Sequence, residues 1–281
     1  MEILKSSASL KLYRSKHDIE GNIVGFVPTM GALHQGHLSL IDVAASQSDY
    51  VLASIFVNPT QFNDPKDLRN YPRDLEKDLA LLEAQGKTSA VFVPEVEDIY
   101  PEPDTRIFNF EMLDKVMEGA HRPGHFNGVA QVVSKLFNLV EPHKAFFGLK
   151  DFQQLAVIRQ LVKQMQSDIE IVACPIIREN DGLAMSSRNQ LLSDEERLHA
   201  ATISAILFKS KELAQSMNVI QLTEWVISEI NRDPFLQVEY FQIVDSLSLT
   251  PVETWNQAGE KQGCVAVKVG AIRLIDNIKF D

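Results

Sequence analysis

The sequence predicts an α/β protein with a parallel-sheet domain over residues 1–175 and a smaller α+β domain over residues 176–281. Short apolar runs alternate with longer segments of helical period as far as about residue 175, which is the pattern of βαβ units. Beyond that point the alternation stops, and closely spaced apolar runs favour a small antiparallel sheet. The length of 281 residues suits two domains. The first domain is therefore expected to be Rossmann-like.

Each predicted strand of the first domain is a short apolar run, as expected for strands covered by helices on both faces. These strands cover residues 23–28, 50–57, 89–93, 145–147 and 169–174. The predicted helices begin near Gly36, run from Pro72 to Gly86, and cover residues 128–141 and 151–166. A long insertion at 95–127 contains a possible edge strand at 105–110.

The second domain is predicted to begin with a helix after a polar loop. Ser193 and Glu196 stand in the relation of a capping box, and the acidic residues at 194–196 suit a helix N-terminus. Apolar runs at 238–244, 265–269 and 272–275 then predict strands of a small antiparallel sheet.

Composition narrows the classes of function. The 27 basic and 38 acidic side chains give a formal net charge of −11, which disfavours a nucleic-acid partner. No apolar run is long enough to span a membrane and the first residues lack a secretory signal, so we expect a cytoplasmic protein with no membrane partner. Cys174 and Cys264 lie outside any metal-binding spacing, so we expect both to be buried hydrophobic residues and expect no protein metal site.

The segment after the first predicted strand is the first candidate for chemistry. Two histidines three residues apart flank a glycine where a helix begins, at the strand end where parallel sheets bind ligands. Imidazoles and helix N-terminal N–H groups suit phosphate oxygens, and glycine lets the backbone approach a planar base. Capping or packing of the helix is the alternative role of these histidines. The segment consists of Met30, Gly31, Ala32, Leu33, His34, Gln35, Gly36 and His37.

The polar loop at residues 182–189 is the second candidate. Its Ser186, Ser187 and Arg188 suit a clamp on a polyphosphate, because a guanidinium binds phosphate oxygens through paired N–H groups. Together the two segments resemble the HxGH and serine-arginine motifs of adenylyl-transferring enzymes. Neither matches a Walker A loop or a GxGxxG fingerprint, which disfavours P-loop hydrolysis and dinucleotide redox chemistry.

Three further segments narrow the resemblance: VNPTQF at 57–62, RPGHFNGV at 122–129 and GLKDFQQ at 148–154. With the two motifs above, in this order and spacing, the sequence resembles the pantoate–β-alanine ligases of coenzyme A biosynthesis. The resemblance implies a two-step reaction. The carboxylate of pantoate attacks ATP to form pantoyl adenylate and pyrophosphate, and β-alanine then displaces AMP to give pantothenate. It also implies Mg²⁺ with the nucleotide, and a homodimer with the 95–127 insertion as its candidate interface.

The family pattern also implies roles for individual residues. His37 is expected to be the proton donor to the departing group, with His34, Lys150, Ser187 and Arg188 as the other catalytic residues. Gln61 and Gln154 are expected to bind pantoate, and Gln61 also β-alanine, since neutral amides can donate and accept without added charge. Besides residues 30–37, the implied ATP site comprises Gly148, Leu149, Lys150, Asp151 on the ribose, the backbone of Ile177, Met185, Ser186, Ser187 and Arg188.

Other interpretations stay open from the sequence alone. A class I aminoacyl-tRNA synthetase shares both motif types, but the acidic charge and the lack of room for an anticodon domain count against it. The remaining alternatives are another HxGH adenylyl or nucleotidyl transferase and a non-catalytic ATP-binding regulator. Lys150 and Asp151 could instead form an exposed pair that caps a helix. Arg122 and His125 have no assigned role.

Overall fold

The structure is a computed structural model that describes residues 1–17 and 21–280. Its strands are β1 (Glu2–Leu4), β2 (Val24–Thr29), β3 (Tyr50–Ile55), β4 (Ala90–Phe92), β5 (Lys144–Gly148), β6 (Glu170–Cys174), β7 (Leu236–Asp245), β8 (Lys261–Val269) and β9 (Ile272–Phe280). Its helices are α1 (Ser7–Lys16), α2 (Gln35–Gln47), α3 (Pro65–Asn70), α4 (Leu75–Gln85), α5 (Val96–Ile99), α6 (Met117–His121), α7 (His125–Val140), α8 (Phe152–Gln164), α9 (Asp194–Leu213) and α10 (Val219–Asn231). Short 3₁₀ turns lie at Pro59–Gln61, Leu149–Asp151 and Ser187–Leu191.

Within the described residues, six strands form a parallel sheet in the order β1-β4-β3-β2-β5-β6. In this sheet β3 lies on one side of β2 and β5 on the other, so the direction in which the chain adds strands reverses at β2. The carboxyl ends of β2 and β5 therefore form the switch point at which such sheets bind ligands. The predicted Rossmann-like α/β fold is confirmed.

The helix before β4 begins later than expected. Pro72 does not open it, because Asp74 is the N-cap and accepts a hydrogen bond from the Lys77 N–H at 3.0 Å, and the helix begins at Leu75. Gly86 ends the helix as predicted, in the left-handed conformation with φ of 69°.

The edge strand predicted at 105–110 is wrong. Side chains of α7 bond the backbone of this segment in place of a neighbouring strand. Asn127 Oδ1 accepts from the Phe108 N–H, and Gln131 Nε2 donates to the carbonyls of Asp104 and Arg106, all at 2.9 Å. These bonds satisfy backbone groups that a strand would have presented to a sheet.

Pattern reading also missed the first two elements. β1 has three residues, too few to show an alternation of polar and apolar side chains, and it pairs with β4. α1 buries only Leu10 and Tyr13, and its clearest sequence signal is the N-cap Ser6, which forms a reciprocal capping box with Ser9.

In the C-terminal part of the described chain, β7, β8 and β9 form an antiparallel sheet in that order, as predicted. α9 and α10 bury an apolar cluster that includes Val226, Ile230 and Val267 of this sheet and its helices. The Ser193–Glu196 capping box opens α9 as expected. Gly270 makes the tight turn between β8 and β9 with φ of 57°.

The chain divides into two compact units. The first unit comprises Met1–Phe110, Arg122–Leu149 and Gln154–Pro175, and the second comprises Glu111–His121, Lys150–Gln153 and Ile176–Asp281. The segments 111–121 and 150–153 therefore lie in the second unit, although they precede residue 176. The division of the chain into domains at residues 1–175 and 176–281 stays a prediction.

Cys174 and Cys264 are both buried and not joined in a disulfide, as expected. Burial raises the pKa of the Cys174 thiol to about 11, so this cysteine stays protonated and behaves as an apolar residue. None of the helices in the described part of the chain has the length and apolar character needed to span a membrane.

Candidate active site

The loop that follows β2 in the first unit has an unusual backbone held by a buried carboxylate. Gly31 and Ala32 have φ of 76° and 50°, in the left-handed region. Asp78 of α4, which is 2% exposed, accepts the backbone N–H of Ala32 at 2.8 Å and of Leu33 at 2.7 Å. A Cβ at Gly31 would lie 2.9 Å from the same carboxylate, so only glycine fits there. Burial raises the pKa of Asp78, and the two N–H groups oppose that shift.

The two predicted histidines lie together at the start of α2. His34 is the N-cap, and its Nδ1 accepts from the Gly36 N–H at 3.1 Å. His37 Nδ1 accepts from the His34 N–H at 3.3 Å, and the ring centroids are 4.1 Å apart. A neutral imidazole that accepts at Nδ1 carries its proton on Nε2. Both rings therefore present an Nε2–H donor at a helix N-terminus, where anions are favoured. The capping role and the functional role are compatible.

Gln61 lies in the 3₁₀ turn Pro59–Gln61 that follows β3 and is 8% exposed. Its Oε1 accepts from Asn58 Nδ2 at 3.2 Å, and its Nε2 donates to the sulfur of Met30 at 2.9 Å. Asn58 Nδ2 also donates to the Gly128 carbonyl at 3.1 Å, and Tyr100 donates its hydroxyl to Asn58 Oδ1 at 2.9 Å. The structure thus joins Gln61 to Met30, two residues predicted to belong to one site.

His125 and Arg122, which had no assigned role, support the same turn. His125 is buried, and its Nδ1–H donates to the Gln61 carbonyl at 2.8 Å. The Arg122 guanidinium donates to His125 Nε2 at 3.2 Å, which agrees with that tautomer. Gly128 allows α7 to approach, since a Cβ there would lie 2.8 Å from Gln61 Cα. The RPGHFNGV segment therefore fixes the position of Gln61.

Lys150 and Asp151 lie in the 3₁₀ turn Leu149–Asp151 that follows β5. Asn277 of β9 donates its Nδ2–H to the Lys150 carbonyl at 2.9 Å, within the second unit. Gly148 ends β5, next to β2 in the sheet of the first unit, and Gln154 lies in the first turn of α8, partly buried.

The serine-arginine loop begins from a small hairpin in the second unit. The Met185 N–H donates to the Ile177 carbonyl at 2.9 Å, beside the bridge between Arg178 and Ala184. Ser186 is the N-cap of the turn Ser187–Leu191, and its hydroxyl accepts from the Arg188 N–H at 3.3 Å. These bonds hold Ile177 and the residues 185–188, which the sequence placed in one site, next to each other.

Further polar contacts brace this hairpin. Asn189 Nδ2 donates to Glu179 at 2.7 Å, and Arg197 of α9 pairs with Glu179 and Asp181, both at 2.6 Å. The Arg197 guanidinium lowers the pKa of the Asp181 carboxyl. The loop is thus built on a charged, hydrogen-bonded base.

Sequence reasoning missed several residues that bond the segments of the candidate site, chiefly Asp78, Asn58 and Asn277. Asn58 carried a signal, since it belongs to the VNPTQF segment. Asp78 lies on a helix with several acidic residues, and nothing local marks it as the one that turns inward.

Comparison with known proteins covers the whole chain. The family model described as pantoate-beta-alanine ligase matches residues 2–279. Pantothenate synthetases of Porphyromonas gingivalis and Bacteroides fragilis are each 54% identical to the chain, over 100% of it and over 100% and 99% of their own lengths. The crystal structure of pantothenate synthetase from Thermus thermophilus is 41% identical with a TM-score of 0.93 and full coverage of both chains. The pantoate-beta-alanine ligase of Francisella tularensis, complexed with beta-gamma ATP and beta-alanine, is 35% identical with a TM-score of 0.82, over 99% of this chain and 97% of that one.

The fold and the whole-length match define an enzyme of the ligase class. The chain belongs to the pantoate–β-alanine ligase family, whose known reaction is the ATP-dependent condensation of pantoate with β-alanine. The resemblance stated from the motifs is confirmed. Neither another HxGH transferase nor a non-catalytic regulator is favoured, because the similarity runs through both units.

Proposed function

We propose that this chain carries out the family reaction through a pantoyl adenylate, with ATP, pantoate and β-alanine as its substrates. The observation that carries the proposal is the placement of His34 and His37 at the N-terminus of α2, where the Nδ1 atom of each ring accepts a backbone N–H. Donors aimed at developing phosphate charge are what an adenylating step requires. The likeness to the Francisella ligase complexed with beta-gamma ATP and beta-alanine supports the two substrates.

In the first step, a carboxylate oxygen of pantoate attacks the α-phosphorus of ATP. The bond from the α-phosphorus to the bridging oxygen breaks, and pyrophosphate leaves with the electron pair. His37 and His34 each donate an Nε2–H hydrogen bond to the departing oxygen. The proton that the family pattern would have His37 transfer is proposed to stay on its nitrogen, because a neutral imidazole that lost it would become an anion. The helix N-terminus adds a favourable field for the added negative charge.

The proposed cationic and hydroxyl donors to the phosphates come from the segments 150–151 and 186–188. Lys150 and Arg188 neutralise charge on the phosphates, and Ser186 and Ser187 donate hydroxyl hydrogen bonds to them. Asp151 accepts from the ribose hydroxyls. The remaining proposed ATP contacts are Met30, Gly31, Ala32, Leu33, Gln35, Gly36, Gly148, Leu149, the backbone of Ile177, and Met185.

Pantoate is proposed to bind at Gln61 and Gln154. The Gln61 Nε2–H donates to a thioether sulfur, which is a weak acceptor. A pantoate oxygen would replace that bond with a stronger one, while Asn58 and His125 keep Gln61 in place. The neutral amides add no charge that would repel the nucleotide.

In the second step, the β-alanine amine attacks the acyl carbon of the adenylate and the bond to the phosphate oxygen breaks. AMP leaves, and one of its phosphate oxygens takes the amine proton, so that no separate protein base is required. Gln61 is proposed to contact β-alanine as well as pantoate.

Mg²⁺ is proposed to arrive with the nucleotide, since this ion keeps several waters and binds through substrate phosphates. Among the described residues, no group of three or more His, Cys, Asp or Glu side chains could hold a metal ion. A homodimer and a cytoplasmic location are further proposals, which rest on the family resemblance alone. Sedimentation would test the dimer.

The proposed function predicts two separable product releases. With ATP and pantoate alone, pyrophosphate should form in an amount no greater than the amount of enzyme. AMP should appear only after β-alanine is added. His37→Ala should lose the pyrophosphate burst. His143→Ala, at the opposite, amino end of β5, is the matched control and should keep it. Pyrophosphate release without pantoate, or none with all three substrates, would overturn the proposal.

A further inference from the structure

Two consecutive residues of β9, Asp276 and Asn277, are both buried, although neighbouring side chains of a strand point to opposite faces. Asp276 is 4% exposed and Asn277 3%. Burial of a polar side chain without a hydrogen bond is costly, and each of these two has its own partners. Those partners lie in two different segments of the second unit, and the proposed function places ATP contacts in both segments.

Asn277 holds the Lys150 turn. Its Nδ2–H donates to the Lys150 carbonyl at 2.9 Å, while its Oδ1 accepts from Gln262 Nε2 at 2.7 Å. The bond from Gln262 of β8 orients the amide, because it fixes which end of Asn277 is the acceptor. The Lys150 main chain is thus bonded to β9, an edge strand of the antiparallel sheet, and the bonding residue is held in turn by the central strand β8.

Asp276 holds the base of the serine-arginine loop. Its two carboxylate oxygens accept from the two terminal nitrogens of Arg178 at 2.6 and 2.9 Å, a paired geometry. Arg178 also donates to the Gly182 carbonyl at 3.1 Å and forms the bridge with Ala184. The ion pair therefore fixes the hairpin from which residues 185–188 extend.

We propose that Asp276 and Asn277 are positioning residues that set the Lys150 turn and the 185–188 loop in register for the phosphates of ATP. The inference rests on the proposed function, since it takes Lys150 and Arg188 to be phosphate ligands. One dipeptide on one strand bonds both segments, so a shift of β9 would move the two together. Displacements near 1 Å at a reacting group cost about 100-fold in rate.

The test is Asn277→Asp, which keeps an acceptor for Gln262, replaces the donor to the Lys150 carbonyl with a carboxylate oxygen, and adds one negative charge. We expect kcat/KM for ATP in pyrophosphate formation to fall by about 10-fold or more. The dissociation constant for pantoate in the absence of ATP, measured by calorimetry, should stay within about 2-fold, because Gln61 lies in the first unit. A partly unfolded variant would instead show a lower number of pantoate sites in the calorimetric titration, reduced by the same factor as kcat, with the KM for ATP unchanged. Asn231→Asp on α10, which adds the same charge, is the control and should leave both constants unchanged.

If Asn277→Asp does not fold, Gln262→Met provides a second variant, because it leaves Asn277 in place and removes the bond that orients it. The same selective fall in kcat/KM for ATP, smaller in size, is expected. A folded variant with wild-type constants for ATP overturns the inference while the wild-type enzyme remains active. An inactive wild type would instead overturn the proposed function, so the two failures are distinguishable.

Discussion

Replacing Asp78 with asparagine is expected to loosen the loop that leads into the histidine pair. The carboxylate accepts two backbone N–H groups, those of Ala32 and Leu33. Asparagine keeps one carbonyl acceptor and turns an N–H₂ group toward the other donor. One bond to a charged acceptor is lost, worth about 1.5–3 kcal/mol, and relief from burying a charge offsets part of it, which leaves a net loss of about 1–2 kcal/mol.

Chemical denaturation measures that loss, and steady-state kinetics measure its effect on ATP. Because the carboxylate holds the backbone of Ala32, which is left-handed, and of Leu33, we expect KM for ATP to rise by about 10-fold while KM for β-alanine changes little. Asp74→Asn on the same helix is the matched control, since asparagine caps a helix as well as aspartate. If Asp78→Asn matches Asp74→Asn in both stability and KM, the anchoring role is refuted.

Four further substitutions have definite expected outcomes. His37→Ala and Lys150→Ala should each slow pyrophosphate formation by about 10² to 10³ without loss of folding, measured by single-turnover quench. Gly128→Ala would place a methyl 2.8 Å from Gln61 Cα, so KM for pantoate should rise selectively, and an unchanged KM would contradict the role given to this turn. The Arg106 guanidinium holds the pKa of the Asp104 carboxyl at about 2, below the pKa of an aspartate in the unfolded chain. The ion pair therefore stabilises the fold at pH values above the unfolded pKa, and this stabilisation is lost as pH falls toward the folded pKa. Asp104→Asn should therefore cost about 1 kcal/mol near pH 7, because solvent screens the pair with the 45% exposed Arg106, and the two unfolding curves should converge below about pH 2.

The alternating apolar runs were enough to predict the parallel sheet and to locate the histidine pair at its carboxyl edge. That success has a physical basis, because strands buried on both faces must be apolar and their connecting helices must be amphipathic. The edge strand predicted in the insertion was wrong because the contacts that decide its structure are not local. Residues 105–110 look like an edge strand, but their backbone is bonded by Asn127 and Gln131, which lie far along the chain and carry no strand signal.

The residues of the candidate site likewise fall into those that a local motif reveals and those that it does not. Residues such as His34 and Gln61 were identified because they belong to contiguous motifs. The residues that hold them, Asp78 for the loop and His125 for the turn, act across 45 and 64 positions of sequence. Local patterns do not report such contacts. The assignment of Lys150 to the second unit depends likewise on packing that no segment reveals alone.

The central claim, an acyl adenylate formed by attack of pantoate on ATP, is tested most directly by an oxygen label. Pantoate carrying ¹⁸O in its carboxylate is incubated with the enzyme, ATP and β-alanine, and AMP is analysed by mass spectrometry. Attack at the α-phosphorus followed by cleavage of the acyl–oxygen bond predicts one labelled oxygen in each AMP and none in pyrophosphate. Unlabelled AMP, or label released as inorganic phosphate, would contradict the mechanism.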